Sequence, residues 1–351
     1  MNTTADILKT WSWSPPDDWT QIQTIDLHTG GEPLRVITSG LSALPGNSIL
    51  EMRRYFRDHL DYIRKALMYE PRGHADMYGA VITNPVSDEA DFGTFFLHNE
   101  GYSTMCGHAI IALTKLVFDT HMIVSDDENP TLIIDAPPGK IKAQAFRKNG
   151  VVQSVSFLNV PSFLYLRDKQ VEVAGLGVVT FDVAYGGAFY AFVDADNLGI
   201  SMASNNVNQL IDAGRKIKLA VMENFPIVHP FEEDLSFLYG TIFTGKAHQP
   251  NHHSRNVCIF ADGEVDRSAT GSGVSARAAL HFAKGEINIG QSITIESILD
   301  TTMDVEVKSI TSYGPYHNAV IPLVTGTAFI TGRNTFCIDP SDPLKNGFIF
   351  R

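Results

Sequence analysis

One unit occurs twice in this chain of 351 residues: a strand-like stretch, a polar loop carrying a reactive side chain, then a helix with small or apolar residues on nearly every face. In the first half, 91–99 reads as a strand that runs through Glu100-Gly101-Tyr102-Ser103 into Met105-Cys106-Gly107-His108, and 107–118 reads as a helix. In the second half, 257–261 reads as a strand, Asp266-Arg267-Ser268-Ala269-Thr270-Gly271-Ser272-Gly273 as a polar loop, and 273–284 as an Ala-rich helix. A helix apolar all round belongs in an interior. Two of them, in a chain longer than one core usually serves, predict two domains. The repeat is one of architecture rather than of sequence.

The remaining periodicities fit an α/β or α+β class. Stretches 22–27 and 34–38 read as strands on either side of the turn-rich His28-Thr29-Gly30-Gly31-Glu32-Pro33. Over 48–68 the residues Ile49, Leu50, Met52, Tyr55, Phe56, Leu60, Ile63 and Leu67 recur at helical spacing, predicting an amphipathic helix whose charged face meets water. Strands are expected at 151–157 and 171–183, a surface helix at 207–221, and strands from 325 onward broken by Pro340 and Pro343. The domain crossing is placed at Pro161. An N-terminal extension then covers 1–20, a first domain 21–160 with 328–351 returning to complete it, and a second domain 161–327.

Charge and composition remove several function classes. With 27 basic against 39 acidic residues the net charge is −12, so the basic footprint of a nucleic-acid binder is missing. No apolar run approaches the ~18 residues of a membrane span, and the polar start of the chain lacks the pattern of a secretion signal. Three cysteines (Cys106, Cys258, Cys337) without a CxxC pair suggest a reducing compartment, the cytosol.

Two segments could carry chemistry. A thiol at the first turn of a buried helix faces unpaired amides and the positive end of the helix dipole, which lowers its pKa and makes a base of Cys106. The competing reading is a buried structural cysteine. Gly107 and His108 favour the first, since glycine admits a ligand to the backbone and histidine adds a titratable group. In the other segment Asp266, Ser268, Thr270, Gly271 and Ser272 surround a helix start whose amides suit a carboxylate; simple N-capping would explain Thr270 or Ser272 but not Asp266-Arg267. Gly271-x-Gly273-x-x-Ala276 matches a dinucleotide fingerprint without its strand-to-helix context. Serine-hydrolase, P-loop and zinc-protease motifs do not occur. The spacing of His248, His252 and His253 reads as a solvated loop and not as a metal site. Tyr185-Gly186-Gly187 before Phe189, Tyr190 and Phe192 reads as a turn into an aromatic strand, either core or pocket wall.

Taken together, His28 to Pro33, Glu70-Pro71-Arg72-Gly73-His74, His98 to Tyr102, Met105 to His108, Tyr185 to Tyr190 and Asp266 to Gly273 resemble the proline racemase family, of diaminopimelate-epimerase-like fold, over 22–350. The resemblance implies two similar domains, each with strands wrapped around a central helix, and an active site in the cleft between them. It implies a small amino-acid substrate, no metal, no organic cofactor, and no nucleic-acid or membrane partner, and leaves a homodimer open. Carried over by position, Cys106 is the base and Thr270 lies across from it. His108 and Asp266 fall near the substrate's ring nitrogen, and Gly107, Gly271 and Ser272 receive its carboxylate.

The racemases of that family read Asp-Arg-Ser-Pro-Cys-Gly in the second segment, where this chain has Ala269-Thr270. A threonine hydroxyl is too weak an acid to return a proton from the opposite face. A cysteine/threonine pair is similar to the branch that dehydrates trans-3-hydroxy-L-proline. In that substrate the hydroxyl and the α-hydrogen share a ring face, so one thiol suffices for a syn elimination to Δ2-pyrroline-2-carboxylate, which tautomerises to the Δ1 imine. The alternatives are a proline racemase or 4-hydroxyproline 2-epimerase, and a catalytically silent amino-acid-binding protein.

Overall fold

The structure, a computed structural model, describes residues 11–350. Of the extension expected over 1–20, residues 1–10 lie outside the described residues.

Two runs of strands follow the same pairing rule. β1 (Thr20–Thr29) is antiparallel to β2 (Glu32–Ser39) and β2 parallel to β3 (Tyr78–Thr83). β3 is antiparallel to β4 (Phe92–His98), which carries the short β5 (Gly101–Ser103) and runs parallel to β6 (Thr131–Ala136). β7 (Gly139–Lys148) and β8 (Val151–Leu158) continue antiparallel. After β9 (Phe163–Val173) the order recurs. β10 (Gly177–Tyr185) is antiparallel to β11 (Phe189–Asp194), which is parallel to β12 (Leu238–Gly245). β12 is antiparallel to β13 (Ser254–Phe260), which carries the short β14 (Glu264–Asp266) and runs parallel to β15 (Ser292–Glu296). β16 (Thr302–Tyr313) and β17 (Tyr316–Gly326) close the run antiparallel.

The helices occupy equivalent places. α1 (Ile49–Met68) joins β2 to β3 and α2 (Gly107–Asp119) joins β5 to β6; α3 (Val207–Asn224) and α4 (Gly271–Lys284) make the same connections in the second repeat. Every residue of α2 except Asp119 is buried, as are 271–281 of α4, because each is the core its strands wrap around. The repeats are clasped at both ends. β17 pairs with β8, and β18 (Ala328–Ile338) returns to run antiparallel along β1 from Ala328 opposite Thr29 to Ile338 opposite Thr20. Among the described residues no helix is long and apolar enough to cross a membrane.

Differences from the sequence expectations are local. The strand expected over 171–183 is broken by a turn between Val173 and Gly177, which pair across it. The polar loop before α4 contains β14, and α4 starts at Gly271 rather than 273, so Gly271 and Ser272 belong to its first turn. β14 is antiparallel to β13, so the glycines do not form a dinucleotide-binding strand-to-helix turn.

The charged face of α1 is not simply solvated. Arg53 donates to the Ser103 carbonyl at 3.1 Å, and Arg64 to the carbonyl of His98 at 2.9 Å and to that of Asn99, with both guanidiniums buried. The 98–103 segment leads directly to Cys106, and its buried ends, His98, Asn99 and Ser103, hold carbonyls that require donors. Two arginines at α1 spacing supply them. Arg64→Met is therefore expected to cost about 2 kcal/mol or more, because a charge-assisted donor is lost to buried carbonyls; a lowered urea midpoint with unchanged slope would show it.

Candidate active site

The two buried helices meet end to end. A Cβ on Gly107 would lie 2.6 Å from Gly271 Cα, and one on Gly271 would lie 2.6 Å from Gly107 Cα, so only hydrogen fits at either position. The first amides of each helix lack intrahelical acceptors, and both dipoles present their positive ends here. A small cavity of about 280 Å³ opens beside this contact.

All seven residues singled out in the sequence line this one cavity: Cys106, Gly107 and His108 from the start of α2, and Asp266, Thr270, Gly271 and Ser272 from β14 and the start of α4. Sequence reasoning missed Glu32, Tyr78, Tyr239, Cys258 and Phe260, which line it too. Glu32 sits in the His28 to Pro33 motif, the one signal that could have found it. Tyr190 is pocket wall, its hydroxyl 2.8 Å from that of Ser272, whereas in the core Tyr185 stacks on Phe163 and Phe189 meets it edge-on.

Cys106 is the N-cap of α2, in extended conformation (φ −141°, ψ 100°), and its Sγ lies 3.1 Å from Nδ1 and 3.6 Å from Nε2 of His108. The expected depression of its pKa does not occur. Burial pushes the thiol well above the ordinary thiol range; the Ala109 amide and the Tyr78 hydroxyl pull the other way, while the carboxylates of Asp266 and Glu32 push further up. Helix-end stabilisation is present but desolvation is larger. Burial also lowers the pKa of His108, against opposing effects of Asp266 and of a hydrogen bond to the Pro33 carbonyl, so the imidazole is neutral near pH 7. The Thr29 hydroxyl fixes the turn by donating to the His108 carbonyl at 2.9 Å.

An acidic end faces the same cavity. Glu32 is fully buried and burial raises its pKa, with Asp266 adding to the rise and Arg267 opposing it. Its Oε2 accepts the Arg267 amide at 2.7 Å, and its Oε1 has no hydrogen-bond partner among the described residues. Asp266 Oδ1 accepts the Ser268 amide at 2.8 Å.

Thr270 is the N-cap of α4 but does not cap it. Its backbone is at φ 68°, ψ 93°, its side chain makes no capping hydrogen bond, and its buried Oγ1 has no hydrogen-bond partner among the described residues, with the Cys258 thiol beside it. A β-branched residue held there costs about 1–3 kcal/mol. Capping therefore does not explain the hydroxyl. The cavity offers backbone amides to an anion, carboxylates to a cation, and a thiol with a histidine at one helix start where the other has only a hydroxyl.

The histidine loop lies elsewhere and is solvated as expected, with His248 and His253 exposed, but it is also pinned. Buried Glu296 accepts the amides of His248 and Gln249 and lies 2.9 Å from His252 Nδ1. His248, Glu296 and Asp300 bring ligand-type atoms within 4.8 Å of one another, but the Arg255 guanidinium sits among them, 2.7 Å from His248 Nδ1 and 3.2 Å from Glu296 Oε2.

Two repeats, each wrapped around a buried helix, thus abut at a cavity that carries a thiol, a histidine and two carboxyl groups. The proline racemase family model matches 24–349, and the chain belongs to that family. It is 50% identical over 342 residues to a trans-3-hydroxy-L-proline dehydratase of Colwellia psychrerythraea, covering 97% of this chain and 96% of the relative. A trans-L-3-hydroxyproline dehydratase of Xenopus tropicalis is 43% identical, covering 96% and 97% respectively. Among solved structures, a hydroxyproline epimerase from Agrobacterium vitis with bound trans-4-OH-L-proline superimposes with a TM-score of 0.90 at 28% identity, covering 95% of this chain and 96% of that one.

A buried, protonated thiol reacts slowly. At pH 7 iodoacetamide is expected to label Cys106 at least ~10-fold more slowly than the partly exposed Cys337, read by peptide mass spectrometry. Faster labelling of Cys106 would mean that a thiolate is already present in the free protein.

Proposed function

We propose that this protein dehydrates trans-3-hydroxy-L-proline to Δ1-pyrroline-2-carboxylate and water. The observation that carries the reading is the inequality of two equivalent positions: a thiol before α2 and a hydroxyl before α4, on one cavity. The names and near-complete overlap of the dehydratase relatives support the substrate.

The substrate carboxylate is received by the amides of Gly107, Gly271 and Ser272, and the secondary ammonium by Asp266 and Glu32 with His108 at its side. A cation brought to that acidic end offsets the negative charge that raises the Cys106 thiol, so binding favours the thiolate the reaction needs. Cys106 then removes the α-proton. Negative charge developing toward the carboxylate meets two helix N-termini in a site closed to water, which is how the residues themselves supply stabilisation that a cofactor supplies elsewhere. The 3-hydroxyl leaves from the Cys106 face, giving the Δ2 enamine, which tautomerises. The cavity is too narrow for a five-membered ring as it stands, so binding is coupled to opening of the two repeats. The strand repeats support 21–160, completed by 328–351, as one domain and 161–327 as the other, and a thiol chemistry of this kind fits the reducing cytosol.

The isomerase reading draws on the likeness to the hydroxyproline epimerase. It is disfavoured because Thr270 cannot deliver a proton to the second face near neutral pH.

Purified protein with trans-3-hydroxy-L-proline is expected to yield a pyrroline carboxylate trapped by o-aminobenzaldehyde; folded protein that forms none overturns the proposal. Cys106→Ser is expected to lower turnover by about 10³-fold or more without loss of fold. Thr270→Cys is expected to gain incorporation of solvent deuterium at the α-carbon of proline, with some racemisation. Because a neutral thiol must ionise, kcat/KM is expected to rise with pH through 7 to 9; a plateau already reached at pH 7 would contradict the raised thiol.

A further inference from the structure

We propose that Tyr78 is the acid that protonates the departing 3-hydroxyl and then recovers its proton from Cys106. The inference rests on the dehydratase reading. Hydroxide is a poor leaving group, and in a syn elimination it departs on the face from which Cys106 works, so its proton donor must stand on that side. Thr270, Ser272, Tyr190, Tyr239 and Cys258 reach the cavity from the second repeat, and Glu32 with Asp266 forms the acidic end. His108 is on the correct side, but both ring nitrogens lie within 3.6 Å of Cys106 Sγ and the ring also bonds the Pro33 carbonyl.

Tyr78 remains. It opens β3, is 3% exposed, and lines the cavity together with Cys106. At rest its hydroxyl donates to that of Ser103, a bond it gives up when its proton turns to the leaving oxygen. Its ring is held edge-on to His108 at 4.9 Å, stacked on His98 at 5.8 Å and edge-on to Phe260 at 6.1 Å, contacts from both repeats that fix the hydroxyl's position. Burial raises the phenol's pKa well above its usual value, so through the neutral range it is a donor and never a resting base.

The step balances without an outside acid. As the α-proton passes to Sγ, the C–H pair becomes the C2–C3 double bond and the C3–O bond breaks. The leaving oxygen takes the Tyr78 proton and departs as water. Cys106 is then a thiol and Tyr78 a phenolate, to which the Ser103 hydroxyl can turn and donate. Transfer of the thiol proton to the phenolate across the cavity that both groups line restores them for the next turnover.

The test compares Tyr78→Phe with the wild-type protein on trans-3-hydroxy-L-proline and on trans-3-chloro-L-proline, whose chloride needs no proton; both give the same trapped product. Dehydration by the variant is expected to fall about 10²–10³-fold. KM and the rate of chloride elimination are expected to stay within about threefold. Wild-type protein that dehydrates nothing overturns the parent reading. Active wild-type protein with a variant that dehydrates within about threefold overturns the role of Tyr78 alone. Equal loss on both substrates also overturns it, since it marks a structural role. Should Tyr78→Phe not fold, 3,5-difluorotyrosine at position 78 keeps the shape and lowers the phenol's pKa; the alkaline limb of kcat is expected to move to lower pH, and an unmoved limb overturns the inference.

Discussion

The contact on which the rest of this structure depends is backbone against backbone, Gly107 on Gly271. Two helices that present positive ends to one another at that distance repel, and neither can retreat, because each is the wrapped core of its own repeat. The arrangement is sustained by the clasp of β17 on β8 and of β18 on β1, and it is relieved when an anion lies at the junction. A carboxylate is thus the natural ligand of the fold itself, before any side chain contributes specificity. Replacing either glycine by even a methyl group would force the repeats apart and misalign every other group on the cavity.

Equivalence of the two repeats makes their one chemical inequality informative. Cys106 and Thr270 occupy the same N-cap position, yet their backbones differ: Cys106 is extended, and Thr270 is at positive φ with a hydroxyl that caps nothing. Strain at a position that contributes no capping bond is retained only where the surroundings over-determine it, and those surroundings are the helix contact and the cavity. The cavity also works against ionisation of its thiol, since burial, with Glu32 and Asp266 adding to it, holds Cys106 protonated. In the proposed complex a substrate cation would neutralise those same acids, so the groups that suppress the thiolate in the free protein would favour it once substrate is bound.

How much of this was legible in the sequence follows from which effects are local. The helices at 107 and 271 declared themselves because they are apolar all round, and the seven cavity residues declared themselves because they cluster within a few positions of those helix starts. Glu32, Tyr78 and Cys258 did not, for a physical reason: a Tyr or Cys in a strand has the local signature of any core residue, and only the fold brings Glu32 to the amide of Arg267, 235 positions away. The buried arginines of α1 were read as solvated for the same reason, since their acceptors at 98–103 lie on a different element. The thiol was misjudged in sign because the helix end that lowers its pKa is visible in sequence, whereas desolvation belongs to the assembled interior.

The distribution of proton carriers around the cavity now has a direction. At the start of α2 stand a thiol and a neutral imidazole in contact, with the Tyr78 phenol edge-on to the imidazole; at the start of α4 stand hydroxyls, Thr270 without a hydrogen-bond partner among the described residues and Ser272 bonded to Tyr190, with the Cys258 thiol beside Thr270. The inequality therefore lies at the two equivalent helix starts themselves, where only α2 presents a thiol paired with a histidine. A symmetric chassis with such a pair at both helix starts could serve both faces of a stereocentre. With the pair at one start only, the proposed elimination is the less demanding reaction, since a proton can be removed and a group expelled on that same face.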